Sequence, residues 1–364
     1  MPFVKKIEFE KDMYQHAAGL GKSFSQFAED YIVEKGNDPT EYHGLSNYEV
    51  AMKKRQYRAE GKVAPLTAFE MMLEQEGIRA FGQSTDTVEK FFQSSGASVL
   101  FPEFIANRVY AGALMASIVP QLVAVTTTIT GLDFRKIYLE DTEPDRQLAK
   151  ANRGGEFPET RIKVGKQNVA LKKYGRTLLF DYESVYNTPI NMYAAVLQRV
   201  GAQIGIDESD DLIYTLINGD GNSNGLESAQ TTTTETTTAI TKLDIIKFAA
   251  VLPQPYKLTK FVGKKAYMIE FWDALSDMQN PAAQWGQTGM TLPIGIEWNR
   301  DVVTADRFFG VDPNFAVGYV TNDAMLLQET DKIINKQQIM TVVSKRSAFD
   351  IIDQDAIGCL DIEH

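Results

Sequence analysis

The stretch PINMYAAVLQRVGAQIGIDESDDLIYTLINGDG, residues 189–221, decides the fold of this chain. Its apolar residues recur at helical spacing, which predicts one long amphipathic helix over residues 189–218. The residues that carry this pattern are Val196, Val200, Ile204, Leu212, Ile213, Leu216 and Ile217. Thr188 is expected to cap the helix and Pro189 to occupy its first position, where a missing N–H costs nothing. At about 1.5 Å per residue the helix would be roughly 45 Å long.

Two features modify this predicted helix. Gly201 and Gly205 each weaken it by about 1 kcal/mol relative to alanine, and their shared face predicts that a neighbouring backbone approaches closely. An acidic face is predicted at Asp207, Glu208, Asp210 and Asp211. A solvated helix face explains these carboxylates better than a paired-acid active site does. The apolar positions fit a projecting spine and an ordinary long core helix equally well.

A basic hairpin precedes the helix. A long β-hairpin is predicted here, because residues 123–139 and 161–180 alternate like strands and flank a centre punctuated by Gly154, Gly155 and Pro158. Between Asp145 and Arg176 nine residues are basic and three are acidic, a local charge of +6 in a chain of formal net charge −11. Such a hairpin is expected to project, and its charge favours contact with an acidic surface, most simply on another copy of the chain.

The basic residues assigned to this contact are Arg146, Lys150, Arg153, Arg161, Lys163 and Lys166. The acidic residues of the long helix are the candidate receiving surface. A solvated hairpin that has no partner explains the charge equally well.

The N-terminal part of the chain is polar and helix-prone up to about residue 95. Helix candidates are Ser25–Glu34, Ser46–Glu60 and Pro65–Gly77, and the last of these has Leu66, Phe69, Met72 and Leu73 on one face. This part is expected to be an accessory segment and not part of a core.

The C-terminal part predicts an α+β unit followed by strands. Helices are expected at residues 241–254 and 271–280, with strands at 264–270, 294–303 and 314–320. The threonine-rich segment before this unit is expected to be a loop. Residues 336–362 are predicted to return as strands to the sheet that begins near Val123, because isolated strands are not stable in water.

The segment DGNSNG, residues 220–225, begins like a calcium-binding EF-hand loop. Such a loop requires a glutamate at its twelfth position, which is Thr231 here, and no apolar helical stripe follows. A helix end at Asn218 and Gly219 explains the segment better, because both residues tolerate the left-handed conformation. No metal site is therefore predicted.

Other motifs fail in similar ways. HAAGLGKS, residues 16–23, ends like a phosphate-binding loop but has His16 in place of the first glycine. The chain has three histidines, His16, His43 and His364, and no GxSxG, HExxH or strand-preceded GxGxxG motif. We therefore predict no catalytic residue and no cofactor. An Asp/Glu enzyme or a calcium-binding protein is the alternative from another class.

Composition sets further limits. The net charge of −11 argues against attraction of the whole chain to nucleic acid. The single cysteine, Cys359, excludes an intrachain disulfide framework and suits a reducing cytoplasm. The most apolar segment, residues 111–125, is interrupted by Ser117, Pro120 and Gln121 and is shorter than the roughly 20 residues of a membrane span.

The order of these parts resembles that of the major capsid protein of tailed bacteriophages, which has the α+β Hong Kong 97-like fold. The resemblance covers about residues 100–362. It is carried by RTLLFDYESVYNTPINMYAAVLQRVGAQIGIDESDDLIYTLINGDG, residues 176–221, and more weakly by VVSKRSAFDIIDQDAIGCLDI, residues 342–362. It implies an N-terminal helical arm (1–100), a peripheral domain (101–239) with an extended E-loop (131–175) and a spine helix (189–218), an axial domain (240–332), and a return to the peripheral domain (333–364).

The resemblance also implies a function. Members of this family self-assemble through hexamers and pentamers into the icosahedral shell that encloses the genome. The implied partners are further copies of the chain, decoration or scaffolding proteins, a portal, and packaged double-stranded DNA bound without sequence specificity; no membrane is implied. The implied location is the virion capsid, with assembly in the host cytoplasm. The alternative is an encapsulin-type nanocompartment shell protein, although relatives of that kind are usually shorter and lack so long an N-terminal segment.

Overall fold

A computed structural model gives the fold of the protein. The residues that the structure describes are 12–80, 85–129, 131–135, 137–140, 161–164, 168–181, 187–221, 231–234, 240–253, 256–263, 265–276, 295–296, 307–322, 327–333, 335 and 337–362. Helices and strands are mixed along the chain, which confirms the predicted α+β class.

The helices follow the predicted pattern closely in the N-terminal half. They are α1 Asp12–Gly19, α2 Phe24–Glu34, α3 Asn47–Ala59, α4 Ala68–Gln75, α5 Ser95–Ala116, α6 Val119–Leu122, α7 Ile190–Asn218, α8 Lys242–Ala249 and α9 Lys265–Ser276. Ser23, Ser46 and Thr67 cap α2, α3 and α4 through reciprocal capping boxes, which explains why these helices begin where they do.

Most strands are short, and the two longest are β6 with 10 residues and β13 with 14. They are β1 Val123–Ile129, β2 Asp133–Phe134, β3 Ile137–Glu140, β4 Arg161–Val164, β5 Val169–Ala170, β6 Lys172–Asp181, β7 Thr231–Thr233, β8 Lys260–Gly263, β9 Gly295–Ile296, β10 Arg307–Val311, β11 Val317–Asn322, β12 Leu327–Ile333, β13 Gln338–Ile351 and β14 Ile357–Asp361.

The chain forms two compact units, and three stretches of sequence contribute to each. Unit 1 contains Met1–Ser117, Lys173–Asp207 and Asn322–Arg346, and unit 2 contains Ile118–Lys172, Glu208–Thr321 and Ser347–His364. The predicted division into arm, peripheral domain and axial domain is a functional partition and stays a prediction.

Unit 1 is built around a large apolar core. The helices α1, α2 and α4 bury Phe27, Ile32 and Leu73 in the same cluster as Leu100 and Phe104 of α5. The expectation that this segment is accessory and not part of a core is therefore wrong for the described part of residues 12–95. The buried apolar residues of its short helices form one continuous core with α5 and the first part of α7.

The start of α7 is fixed by residues distant in sequence. The helix begins at Ile190, one residue later than predicted, and the Ile190 amide donates to the Asp86 carbonyl at 2.9 Å. Pro189 forms an isolated antiparallel β-bridge with Thr87. The N-terminal segment thus supplies partners that a local capping rule cannot foresee.

The prediction of a close backbone approach at the α7 glycines is confirmed. A Cβ atom on Gly201 would lie 1.9 Å from the Val109 carbonyl oxygen, and one on Gly205 would lie 2.2 Å from the Ala113 carbonyl oxygen. Gly112 of α5 is equally close to the Gln198 carbonyl, at 2.0 Å. The two helices of unit 1 therefore cross with their backbones in contact.

The predicted apolar stripe of α7 is partly wrong. Val196 is 56% exposed, whereas Leu197 is fully buried and Ile204 is buried as predicted. The stripe that faces the core of unit 1 instead passes through Leu197 and Gly201. Glycine has no apolar side chain, so Gly201 does not contribute to the apolar periodicity of the sequence. The predicted stripe was therefore placed on Val196 and Val200 instead.

Unit 2 contains two sheet regions. In the first, β11 pairs with β1 and, through Val317–Thr321 opposite Ser347–Ile351, with the end of β13. The predicted return of residues 336–362 to the sheet begun near Val123 is thus confirmed for β13 and wrong for β14, which belongs to the second sheet. The second has the strand order β7-β14-β10-β8-β9, in which β7 is parallel to β14. The threonines expected in a loop thus extend this sheet at its edge.

The α+β unit predicted after residue 240 belongs to unit 2. Phe248 of α8 and Phe271 of α9 pack with Phe261 and Phe308 of the second sheet. The strand predicted at residues 264–270 is wrong, because this segment opens α9. Tyr267 and Phe271 are both buried and are one helical turn apart, and the strand lies just before them at Lys260–Gly263.

Candidate assembly surface

The hairpin predicted at residues 131–175 is present as a two-stranded ribbon. We call the described residues among 131–171 the ribbon. At its base β2 pairs with β5, with Asp133 opposite Ala170, and farther out β3 pairs with β4. Among the residues that the structure describes, these strands pair only with each other and join neither larger sheet.

The base of the ribbon is held by a small polar network. The Asn168 side-chain amide donates to Asp133 Oδ2 at 2.6 Å, and Arg135 Nε donates to Asn168 Oδ1 at 2.8 Å. The Leu171 amide donates to the Leu132 carbonyl at 2.9 Å. These bonds join the two arms of the ribbon to each other and fix their register.

The ribbon exposes aliphatic side chains. Leu132 is 60% exposed and Val164 is 56% exposed. The register of β3 and β4 alternates two kinds of pair. Aliphatic pairs (Ile137–Val164 and Leu139–Ile162) alternate with pairs that contain a basic residue (Tyr138–Lys163 and Glu140–Arg161). This alternation is the sequence pattern of an antiparallel sheet that has one face buried and the other in water.

Two of the six predicted contact residues are placed by this register. Arg161 and Lys163 lie in β4, opposite Glu140 and Tyr138. Arg146, Lys150, Arg153 and Lys166 lie outside the described residues. Their predicted contact with another copy stays a prediction.

The predicted acidic face of α7 is not uniform. Asp207 is exposed and accepts a hydrogen bond from Gln203 Nε2 at 2.8 Å. Glu208, in contrast, is only 3% exposed, so its assignment to a solvated acidic face is wrong. Successive helical residues are about 100° apart around the axis, which turns Glu208 away from Asp207 and toward the core of unit 2.

Glu208 is held by two hydroxyl groups of unit 2. Tyr319 Oη donates to Glu208 Oε1 at 2.6 Å, and Ser347 Oγ donates to the same oxygen at 2.9 Å. The next residue, Ser209, is also buried, and its hydroxyl accepts a hydrogen bond from the Ile118 amide at 3.2 Å. This part of the acidic cluster therefore has a structural role in joining α7 to the sheet of unit 2.

Asp211 is paired within the same chain. Its carboxylate forms an ion pair with Lys172, which follows directly after the ribbon, and Lys172 Nζ also lies 5.2 Å from the centre of the Tyr214 ring. Asp210 is half-buried. Of the four predicted acidic residues, Asp207 alone is exposed. One basic residue of the hairpin region, Lys172, already contacts the helix within the same chain. The composition of the hairpin gave no signal for this pairing.

The segment after α7 confirms a helix end. Gly219 has a φ of 78° and its amide donates to the Thr215 carbonyl at 2.8 Å. Asp220 Oδ2 accepts a hydrogen bond from the Ile351 amide at 3.2 Å, so this carboxylate anchors the turn to β13. Residues 222–225, the rest of the calcium-like pattern, lie outside the described residues.

Two features are absent from the residues that the structure describes. Within them, no group of three or more His, Cys, Asp or Glu side chains is arranged to hold a metal ion. No helix in the described ranges is both long and apolar enough to cross a membrane.

Comparisons with known proteins give structural similarities only. No family model and no curated protein sequence matches this chain. A capsid chain of an empty GTA particle is similar to it with a TM-score of 0.48 and 13% identity, over 68% of this chain and 90% of that one. A chain from Mycobacterium phage Bobi is similar with a TM-score of 0.46 and 11% identity, again over 68% and 90%.

An encapsulin is also among the similar structures. The SrpI encapsulin from Synechococcus elongatus PCC 7942 has a TM-score of 0.42 and 13% identity, over 67% of this chain and 86% of that one. These solved structures thus include a capsid and an encapsulin. Their TM-scores are all below 0.5, so the functional proposal rests on the elements of this chain itself.

Proposed function

We propose that the chain is the major capsid protein of a tailed bacteriophage, a subunit that self-assembles into an icosahedral shell around the genome. The observation that carries this proposal is the ribbon. A two-stranded ribbon is marginally stable in water unless a third strand or another layer covers it. This one joins neither larger sheet among the described residues and exposes Leu132 and Val164.

A second copy of the chain is the partner that fits the ribbon best. The hairpin region is basic in a chain whose net charge is −11, so every copy offers an acidic surface to the ribbon of its neighbour. Asp211 is already paired with Lys172 and Glu208 is buried, so we assign the receiving surface to exposed acidic residues such as Asp207.

A closed shell suits such contacts. Each ribbon contact stabilises only modestly, but every subunit both gives and receives one. Head-to-tail contacts that close into a ring under symmetry therefore add up to a stable assembly. The acidic net charge of the subunit also limits adhesion of packaged DNA to the wall, because strong phosphate binding requires clustered Lys and Arg. This role requires no catalytic group and no cofactor.

The assembly experiment is direct. The purified chain is sized by light scattering and viewed by negative-stain microscopy, and we expect closed shells, or hexamer and pentamer rings. A chain that stays monomeric or dimeric at every salt concentration would refute the proposal. Shells that enclose a protein cargo, and form without other phage proteins or DNA, would instead favour the encapsulin alternative.

The ribbon contact has its own test. Reversing three charges together (Arg161→Glu, Lys163→Glu and Lys166→Glu) should abolish assembly at low salt, because it turns attraction to an acidic neighbour into repulsion. Light scattering measures the loss. The matched control is the triple reversal Arg55→Glu, Arg58→Glu and Lys62→Glu at exposed positions of the α3 region, which changes the net charge equally. Unchanged assembly in the ribbon variant would rule out this electrostatic contact.

A further inference from the structure

A buried carboxyl group lies where α2 meets α5 in unit 1. Glu103 of α5 is only 6% exposed. Ser25 Oγ donates a hydrogen bond to Glu103 Oε1, and the Ser25 backbone amide is also directed to this carboxyl. Ser25 is the second residue of α2, so Glu103 accepts from an amide that has no partner within its own helix. A side chain of one helix thereby caps the N-terminus of another.

The groups that face this carboxyl are neutral. Asn107 of α5 donates from Nδ2 to Ser25 Oγ at 3.1 Å. Tyr14 of α1 is the titratable neighbour; its hydroxyl donates to the Val99 carbonyl at 2.7 Å, and its ring stacks on Phe24 with centroids 4.2 Å apart. Within the described residues no Lys, Arg or His forms an ion pair with Glu103 or adds to the causes of its pKa shift.

Burial decides the protonation of this group. Desolvation raises the pKa of Glu103 to about 7, although the hydrogen bonds from Ser25 and Asn107 act in the opposite direction. The pKa of the Tyr14 hydroxyl is raised as well, first by burial and then by the charge of Glu103. A carboxylate without a cation partner is costly in such a site, so the neutral acid is favoured below neutral pH.

A second buried carboxyl of the same segment shows why Glu103 is distinct. Glu29 of α2 caps α4 by accepting from the Ala68 amide at 2.7 Å, and burial raises its pKa too. Cationic neighbours oppose that shift, because His43 and Lys54 both act to lower the pKa of Glu29. Glu103 has no such compensation.

We propose that Glu103 is a proton-controlled latch, which holds α1 and α2 on α5 when it is protonated and loosens this N-terminal pair when it ionises. The folded-state pKa lies above the ordinary value of 4.5, so the docked state binds more protons than the undocked one. The stabilisation is fully present below pH 4.5 and is lost as the pH rises through about 7. The latch belongs to a single chain and holds whether or not shells form.

Hydrogen exchange of the full chain tests this proposal. Exchange of the amides in residues 12–34 is measured at pH about 5.5 and about 8.5, with correction for the intrinsic exchange rate. One proton linked to docking changes the opening constant by up to about tenfold per pH unit, so protection should fall by at least about tenfold across this interval. In the Glu103→Gln variant, which keeps a neutral hydrogen-bonding group, most of this pH dependence should be lost.

Two further variants make the outcome decisive. Glu74→Gln, an exposed position on α4, should keep the pH dependence of the unmodified chain. Ser25→Ala removes a donor that favours the ionised carboxylate, so the midpoint of the transition should move to higher pH; this result remains available if Glu103→Gln fails to fold. Equal protection at both pH values in the unmodified chain, an unshifted midpoint in Ser25→Ala, or a pH response of undiminished size in Glu103→Gln would overturn the latch.

Discussion

The crossing of α5 and α7 in unit 1 and the ribbon of unit 2 are opposite kinds of structure. At the crossing, helix backbones touch through Gly112, Gly201 and Gly205, and no space remains for a single added methyl group. In the ribbon, two strands pair only with each other and leave Leu132 and Val164 exposed. The helix crossing is fully packed within one chain, whereas the ribbon has apolar side chains that no other part of the described chain covers.

The difference shows how a subunit can be both stable and ready to assemble. A close-packed crossing fixes the direction of α7, because it tolerates neither rotation nor larger side chains. An uncovered ribbon gains its stability only from a partner, so its apolar residues are stabilised at the moment of assembly. Rigid support and incomplete pairing are therefore separated in the chain.

The largest expected effect comes from closing the space at the crossing. Gly201→Ala should lower the free energy of unfolding by about 3 kcal/mol, because its Cβ would lie 1.9 Å from the Val109 carbonyl oxygen and neither backbone can move freely. Helix propensity alone predicts the opposite sign, a gain of about 1 kcal/mol. Urea unfolding followed by circular dichroism measures the change.

Gly19→Ala is the matched control for this prediction. Gly19 is also helical, ends α1, and has no atom within 4 Å of an added Cβ. We expect no loss of stability, or a gain of a few tenths of a kcal/mol, in this variant. Equal effects at the two glycines would show that the helices do not cross in contact.

A smaller effect is expected from removing a hydrogen-bond partner of Glu208, which is buried in the C-terminal half of α7. Tyr319→Phe removes the hydroxyl that donates to Glu208 at 2.6 Å and leaves Ser347 as the remaining donor identified at this oxygen among the described residues. The variant should lose about 2 kcal/mol of unfolding free energy, since removing a hydrogen-bond partner from a buried polar group costs about 1–3 kcal/mol. Tyr214→Phe, at a residue 57% exposed, should change stability by less than about 0.5 kcal/mol. A neutral Tyr319→Phe would contradict the structural role given to Glu208.

The smallest effect is expected next to the ribbon. Lys172→Met removes the ion pair with Asp211 but keeps a long apolar side chain over Tyr214. Because half of the Lys172 side chain is exposed, the loss of unfolding free energy should stay below about 1 kcal/mol. Thermal unfolding at low and high salt measures it, and the loss should shrink at high salt. A loss above about 2 kcal/mol would mean that this pair, and not a partner, holds the ribbon in place.

Much of the fold followed from local sequence rules. Ser46 with Glu49, and Thr67 with Glu70, form capping boxes that mark the starts of α3 and α4. The β-branched run at Val123–Ile129 gave β1, and Gly219 marked the end of α7. These features depend on neighbours in sequence, which is why they could be predicted.

What could not be predicted depends on contacts between distant residues. Leu197 and Gly201 line the core stripe of α7, but a glycine counts as apolar only where another backbone fills the space above it. Glu208 is buried because Tyr319 and Ser347 supply its partners. Of the candidate contact residues, Arg161 and Lys163 were placed in a hairpin from composition and alternation, whereas the surface that receives them depends on a second chain.

Hydrogen exchange of the ribbon in assembled and dissociated protein tests most directly whether a second copy of the chain completes it. The amides of β4 and β5 should exchange slowly in shells and at least about tenfold faster in isolated subunits, because only assembly covers these strands. The amides of α7 near Gly201 should be protected equally in both states and serve as the internal reference. Equal protection of the ribbon in both states would contradict the claim that a second copy completes it.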